Sequence, residues 1–258
     1  MSINEFNEER EQRIRSYTND IQLHSCADSW ILESMAKQYV YNFEWMGRPI
    51  IQYPEDMVSI QELVWEVKPS LIIETGVAHG GSLILSASML ALLDYCDAVS
   101  NKETLDPKRS SRKVIGIDVD IRAHNRNEIE QHPLSGMINL VEGSSTSPEV
   151  HDYISEAVLN YDKVMVFLDS NHTHNHVLDE LNMYSNFVSV GSYCVVFDTI
   201  IENLPVGYFA NRPWDKGNSP MTAVESFLSS NSNFEIDKMR EDKLMITVSP
   251  NGYLVRKG

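Results

Sequence analysis

The chain has 258 residues, 42% of them apolar, and a formal net charge of −16. That length allows one large α/β domain with an N-terminal extension, or two small domains, and the apolar content is ordinary for a packed core. So acidic a chain repels phosphate backbones and carries no lysine and arginine patch to offset this, which argues against nucleic acid as a partner.

Cys26, Cys96 and Cys194 show neither metal-ligand spacing nor a paired framework, a usage that suits a reducing cytoplasm. The polar, charged residues 1–15 do not form a signal peptide. No apolar run approaches the roughly 18 residues a membrane span needs. A cytoplasmic protein is therefore expected, acting on a small-molecule or glycan substrate. The aromatic N-terminal extension offers a surface for a homo-oligomer.

In chain order, residues 2–41 read as helical, and Gly47 and Pro49 break that pattern. Asp56 is the expected N-cap of a helix whose buried face is Met57, Ile60, Val64 and Val67. Pro69 stops it, and residues 71–74 form the first strand. The segment Leu71-Ile-Ile-Glu-Thr-Gly-Val-Ala-His-Gly-Gly-Ser82 runs that strand through a glycine turn into an apolar helix ending near Asp94. Residues 98–112 read as an inserted loop. Residues 114–118 form the second strand, followed by a short helix ending before Pro133. Residues 137–142 form the third strand, and Ser147 caps a helix that starts with Pro148. Residues 164–168 form the fourth strand, all apolar and buried on both faces. A helix over about 175–190 ends at Gly191, and residues 193–197 form the fifth strand. A loop with Arg212, Trp214, Gly217 and Pro220 precedes a helix over 221–228. Residues 234–256 read as a hairpin turning at Pro250-Asn-Gly252. Strands alternating with helices imply a doubly wound α/β fold with a mostly parallel sheet. Residues 1–56 are expected to form a helical extension and residues 57–258 the main domain.

In such a fold ligands sit at the carboxyl ends of the strands. The glycine turn has the form E-x-G-x-x-x-G-G-S, from Glu74 through Gly76, Gly80 and Gly81 to Ser82. Dinucleotide sites use G-x-G-x-x-G instead. The acidic pattern fits the corner that class I S-adenosylmethionine methyltransferases use better than it fits a nicotinamide or flavin site. Gly76 permits a tight bend, and Gly80 and Gly81 permit close approach of a ligand. Glu74 can accept hydrogen bonds from an ammonium or hydroxyl. Asp118, at the end of the second strand, is the favoured ribose ligand, and Asp120 is its competitor. Glu142-Gly-Ser-Ser145, with Ser144 at its centre, ends the third strand on the adenine side. Asp169 and Asp198 end the fourth and fifth strands, about 4.8 Å apart if these neighbour each other, and suit Mg²⁺. His172 follows Asp169 within reach of the same pocket and can act as a general base. In Asn171-His-Thr-His-Asn-His176 the histidines lead into a helix, where residues two apart do not share a face, which argues against zinc.

Further pieces carry a family resemblance: Tyr41-Asn-Phe-Glu-Trp-Met-Gly-Arg-Pro-Ile-Ile-Gln-Tyr-Pro-Glu-Asp-Met57, Gly116-Ile-Asp-Val-Asp-Ile-Arg122, Leu168-Asp-Ser-Asn-His-Thr-His-Asn-His-Val177, Val196-Phe-Asp-Thr199 and Arg212-Pro-Trp-Asp-Lys-Gly-Asn-Ser-Pro220. With these and the glycine turn, the chain resembles the cephalosporin hydroxylase / rhamnosyl O-methyltransferase family from about Tyr39 onward. The resemblance implies a seven-stranded class I fold, S-adenosylmethionine as cofactor, and methyl transfer to a hydroxyl of a sugar (in a glycan, glycolipid or nucleotide sugar) or of a small natural product. Similar macrolide-sugar O-methyltransferases use Mg²⁺ with an Asp-x-x-His motif. By that likeness Asp169 is a metal ligand beside the cofactor, His172 the general base, and Asp198 the carboxylate of the next strand. It also directs Gln52, Pro54 and Asp56 toward the cofactor's methionine end or the substrate. Trp45 and Trp214 are candidate sugar-facing walls or core residues. One departure stands out. Relatives carry an acidic pair at the fifth strand end, whereas Phe197 precedes Asp198 here, and Glu202 replaces the missing acid only if its loop folds back. Two other readings remain open: a hydroxylase with iron held by His172, His174 and Asp169, and a non-catalytic subunit that binds the cofactor.

Overall fold

The computed structural model describes residues 2–258. Helices α1 (Ile3–Tyr17) and α2 (Ile21–Ala36) open the chain, the first started by a Ser2–Glu5 capping box and the second capped by Asp20. Strands β1 (Phe43–Trp45) and β2 (Arg48–Ile50) pair as a hairpin. Its turn residues Met46 and Gly47 both have positive φ, 46° and 84°, which is the type I′ geometry that suits a two-residue hairpin. This hairpin lies where the sequence shows only a break.

Helix α3 (Pro54–Val67) begins one residue after Tyr53, with Pro54 in its first turn. Asp56 is therefore inside the helix and does not cap it. Its carboxylate is fully buried and accepts from the Thr247 and Tyr253 hydroxyls and the Val248 amide. These partners lie almost two hundred residues away, so no local pattern announces them.

The main sheet runs β5-β4-β3-β6-β7-β9-β8, from β3 (Leu71–Thr75), β4 (Lys113–Asp118), β5 (Ile138–Glu142), β6 (Val164–Leu168), β7 (Tyr193–Val196), β8 (Phe234–Ile236) and β9 (Tyr253–Arg256). Only β9 runs against the direction of the other six strands. Alternate residues serve two cores. Met165 and Phe167 of β6 join Leu83 and Leu90 on one face. Val164, Val166 and Leu168 meet Leu181, Tyr184 and Phe227 on the other. Burial on both faces explains the unbroken apolar runs of β3 and β6.

The layers around the sheet come from α4 (Gly81–Asn101), α5 (Ala123–Glu130), α6 (Pro148–Val158), α7 (His174–Tyr184), α8 (Pro220–Ser230) and α9 (Lys238–Leu244). Helix α4 runs two turns past its expected end, because residues 95–101 contain no breaker and Lys102 closes it in the left-handed conformation. By length and composition α4 is apolar enough to cross a membrane, although serines and the acids Asp94 and Asp97 interrupt its runs; half of that stretch is buried in the fold. Helix α7 stops at Tyr184 and passes through one tight turn, Ser185–Phe187. Gly191 instead shapes the entry to β7, with φ +75° and its amide bonded to the Arg256 carbonyl. The expected C-terminal hairpin is corrected in the same way. Strands β8 and β9 do pair, but α9, capped by Asp237, lies between them, and the Pro250–Gly252 turn only leads into β9.

The chain leaves β3 for β4 and β5 on one side, then crosses back to β6 on the other. The crevice at that reversal, above the carboxyl ends of β3 and β6, is where open α/β sheets hold ligands.

Candidate active site

A cleft of about 680 Å³ opens over this crevice. Its floor holds Asp169 just past β6, His172 in the following loop and Asp198 just past β7. One donor atom from each of the three lies within 4.8 Å of the others. Register explains the meeting. Leu168 pairs with Val196, so Asp169 stands level with Phe197 and Asp198 one residue beyond. Asp198 adopts φ +56°, the left-handed region that costs a non-glycine residue free energy and is typical of functional sites. That twist turns its carboxylate to His172, whose Nε2 is 3.3 Å from Asp198 Oδ2.

Burial first, and then the charges of Asp198 and Glu74, hold the Asp169 carboxyl well above the usual carboxylate range. A divalent cation relieves that crowding. The two carboxylates are the hard oxygen donors that would hold a Mg²⁺ ion, with His172 Nε2 standing beside them. The Trp214 ring stands edge-on to His172, centroids 4.5 Å apart at 87°, and fixes the imidazole's orientation.

The glycine turn forms the adjacent wall. A Cβ on Gly76 would overlap the Asp169 carbonyl, so strands β3 and β6 can close only around a glycine. Gly80 and Gly81, expected to give a ligand access, also make room for the protein itself, and Gly81 lines the cleft. Ile129 packs on Gly80, and the Pro49 carbonyl and Ile50 on Gly81. The N-terminal hairpin thus sits directly on the cofactor turn. Trp45 anchors it from behind, its indole donating to Ser88 Oγ at 3.0 Å, so Trp45 is a packing residue while Trp214 lines the cleft.

Beneath the turn is a small recess lined by Gln52, Glu74, Ser82 and Asp169, continuous in lining with the cleft through Gln52, Ser82 and Asp169. Glu74 is 3% exposed and bonded by Ser86; burial pushes its carboxyl up to about 7. Gln52 is equally buried, and its Oε1 has no hydrogen-bond partner. An orphaned amide oxygen beside two carboxylates is costly unless a donor arrives. A hydrogen-bond donor entering the recess, an N–H group or a water, would satisfy it.

Asp118 carries one oxygen to the turn amides, Val77 at 2.8 Å and Ala78 at 3.4 Å, and the other to the Asp120 amide at 3.1 Å. Asp120 itself is exposed. Ser144, bonded to Thr146, lines a second small recess with Asp118, Ser145 and Ser170. Ser170 also borders the main cleft, so the two spaces adjoin.

The three histidines of 172–176 part company. His174 Nδ1 bonds Thr222 Oγ1 at 2.8 Å. His176 lies 3.1 Å from both Ser145 and Ser170 hydroxyls and beside buried Glu180, whose hydrogen bond and then charge raise its pKa. Among the described residues only Asp169, His172 and Asp198 form a metal-competent group, so neither a zinc cluster nor the His172–His174–Asp169 triad of the hydroxylase reading is assembled. Glu202 does not replace the acid missing at Phe197. It accepts from the Gly217 amide at 2.9 Å and Ser219 Oγ at 2.7 Å, and so pins the loop that carries Trp214. Arg122, in the strand-end stretch Gly116–Arg122, also lines the cleft, a role to which its position alone gives no clue.

Comparison with known proteins agrees with this arrangement. The family model described as Rhamnosyl O-methyltransferase/CmcI matches residues 37–257. A rhamnosyl O-methyltransferase from Mycobacterium tuberculosis is 31% identical over 235 residues, 88% of this chain and 85% of the relative. Its counterpart from Mycobacterium leprae is 28% identical over 234 residues, 88% of this chain and 91% of that one. Among solved structures, CmcI with Mg and SAM aligns with a TM-score of 0.52 at 17% identity, over 89% of this chain and 85% of that chain. This last likeness is one of fold.

Proposed function

Since the chain belongs to the Rhamnosyl O-methyltransferase/CmcI family, we propose that it moves the methyl group of S-adenosylmethionine to a hydroxyl of a sugar or a sugar-bearing small molecule. The observation that carries the reading is the meeting of Asp169, His172 and Asp198 on the floor of a cleft walled by the glycine turn. The names of the relatives and the Mg and SAM of the CmcI structure support it.

When bound, the cofactor supplies an electrophilic methyl carbon and a divalent cation makes the acceptor hydroxyl more acidic. The protein's own groups do the rest. Gln52 Oε1 and Glu74 receive the ammonium of the cofactor's amino-acid end. Gly76 and Ser82 shape the wall beside its sulfur. The strand-end acids Asp118 and Asp120 face the ribose side, and Ser144 the adenine side. Asp169 and Asp198 hold the cation. His172 takes the proton of the hydroxyl, and Asp198, 3.3 Å from its Nε2, orients the ring. Trp214 keeps the ring from turning away. The hairpin of residues 43–50 closes the site from above, so the N-terminal extension is part of the enzyme's machinery. Much of the acceleration then comes from holding donor and acceptor in line.

Incubating the protein with methyl-labelled S-adenosylmethionine and Mg²⁺ over a panel of rhamnosides and other glycosides tests the reading. Label should appear on a sugar oxygen. Tight binding of S-adenosylhomocysteine with no label on any glycoside would favour the non-catalytic subunit, and no binding at all would end the proposal.

A further inference from the structure

The cleft is charged in a way that methyl transfer alone does not require. Acids occupy its floor, as Asp169 and Asp198, and arginines its walls, as Arg122 and Arg212. The chain is strongly acidic, with 37 aspartates and glutamates against 21 lysines and arginines, so an arginine readily finds a carboxylate. All but three of the arginines among the described residues do have a carboxylate or carbonyl partner; the exceptions are Arg10, Arg122 and Arg212. Two of these three line the cleft.

Arg212 is also placed. Its guanidinium lies over the Trp214 ring at 5.2 Å, and Trp214 in turn packs against His172. A cation stacked on an aromatic face is restrained, with its N–H edge free for a ligand. The loop beneath is held by Glu202 and by Asp215, which accepts from the Gly207 amide at 2.8 Å. An anion on Arg212 and a hydroxyl at His172 are close enough to belong to one small molecule.

We propose that the acceptor carries an anionic group, a phosphate or a carboxylate, which Arg122 and Arg212 bind while the hydroxyl to be methylated faces His172. Guanidinium forks match both anions with paired hydrogen bonds. The acidity of the whole chain does not oppose this, because its field is screened beyond about 8 Å at physiological salt; it disfavours long polyanions far more than a single small one. The acceptor role rests on the methyltransferase reading, whereas the anion site stands on the arginines alone.

Calorimetry on the full chain, with and without saturating S-adenosylhomocysteine, tests both separately. The probes are uridine diphosphate, inorganic phosphate, glucuronate and neutral methyl rhamnoside. At least one of the anionic probes should bind, and its affinity should fall roughly tenfold in Arg122→Gln and in Arg212→Gln but not in Arg10→Gln. Preference for uridine diphosphate assigns a nucleotide-linked sugar, and preference for glucuronate an acidic sugar. Binding of S-adenosylhomocysteine together with no anion binding, or with variants that bind the anions as the wild type does, would overturn the anion site and leave the methyltransferase reading intact. Anion binding without S-adenosylhomocysteine binding would do the reverse.

Discussion

His172 and Asp198 meet across 3.3 Å although they follow different strands, because register sets β6 and β7 level and Asp198 accepts a left-handed backbone to reach the imidazole. The pair places a base and a carboxylate that orients it at one point. His172→Ala is expected to leave S-adenosylhomocysteine affinity unchanged and to lower turnover by the 10²- to 10⁴-fold usual for a general base. Trp214→Ala should lower turnover less, and Trp214→Phe should recover part of it, since only the edge-on packing is lost.

Asp198→Asn removes one of two carboxylates from the cation site. Binding of Mn²⁺, followed by its paramagnetic effect on water relaxation, should weaken by at least the roughly tenfold to hundredfold that even indirect changes around a metal produce. Glu202→Gln is the control, because Glu202 bonds the Gly217 and Ser219 loop and not the cation site.

Gln52→Leu keeps the volume of the side chain and deletes its orphaned oxygen. Affinity for S-adenosylhomocysteine should fall about tenfold, the value of one hydrogen bond to a charged group. Affinity for methylthioadenosine, which has no amino-acid end, should not change. An equal loss for both ligands would mean that Gln52 acts only on the fold.

Glu74 gives a pH signature. Its carboxyl is raised to about 7 in the fold from an ordinary value of 4.5. Below 4.5 both folded and unfolded forms are protonated, and the group has no effect. As pH rises from there to about 7, only the unfolded form gives up its proton, so stability falls; above that the loss is complete, at about 3 kcal/mol. Glu74→Gln should therefore raise the Tm at pH 8 and barely change it at pH 4.5. Adding S-adenosylhomocysteine should stabilise the wild type more than this variant at pH 8, since its ammonium restores a partner for the charge.

Gly81→Ala puts a methyl group into the Pro49 carbonyl and Ile50. The hairpin must lift, at a cost of about 1–3 kcal/mol. Limited proteolysis should then cut near residues 43–50 faster than it does in the wild type.

Much of this architecture is legible in the amino-acid sequence. Strand β6 reads plainly because burial on both faces leaves Val164–Leu168 wholly apolar, and Ser147-Pro148 starts a helix by chemistry that needs no tertiary context. Asp169, His172 and Asp198 are legible as strand-end residues once the strands are known. What stays hidden depends on contacts between distant segments. Asp56 resembles a cap because acids often cap helices, and only Thr247 and Tyr253 reveal it as a buried acceptor. The turn of the N-terminal hairpin uses Met46-Gly47 in place of an Asn-Gly signal. Helix α9 interrupts the C-terminal hairpin with residues too polar and too few to show a periodic face. Gly81 reads as a ligand contact and does line the cleft, but that it also makes room for the Pro49 carbonyl is not legible.

The most direct test is a crystal structure of the chain with S-adenosylhomocysteine. The nucleoside should lie across the carboxyl ends of β3 and β4, its amino group on Gln52 and Glu74, and its sulfur turned toward the space between Asp169 and His172. A nucleoside bound elsewhere, or a sulfur facing away from His172, would contradict it.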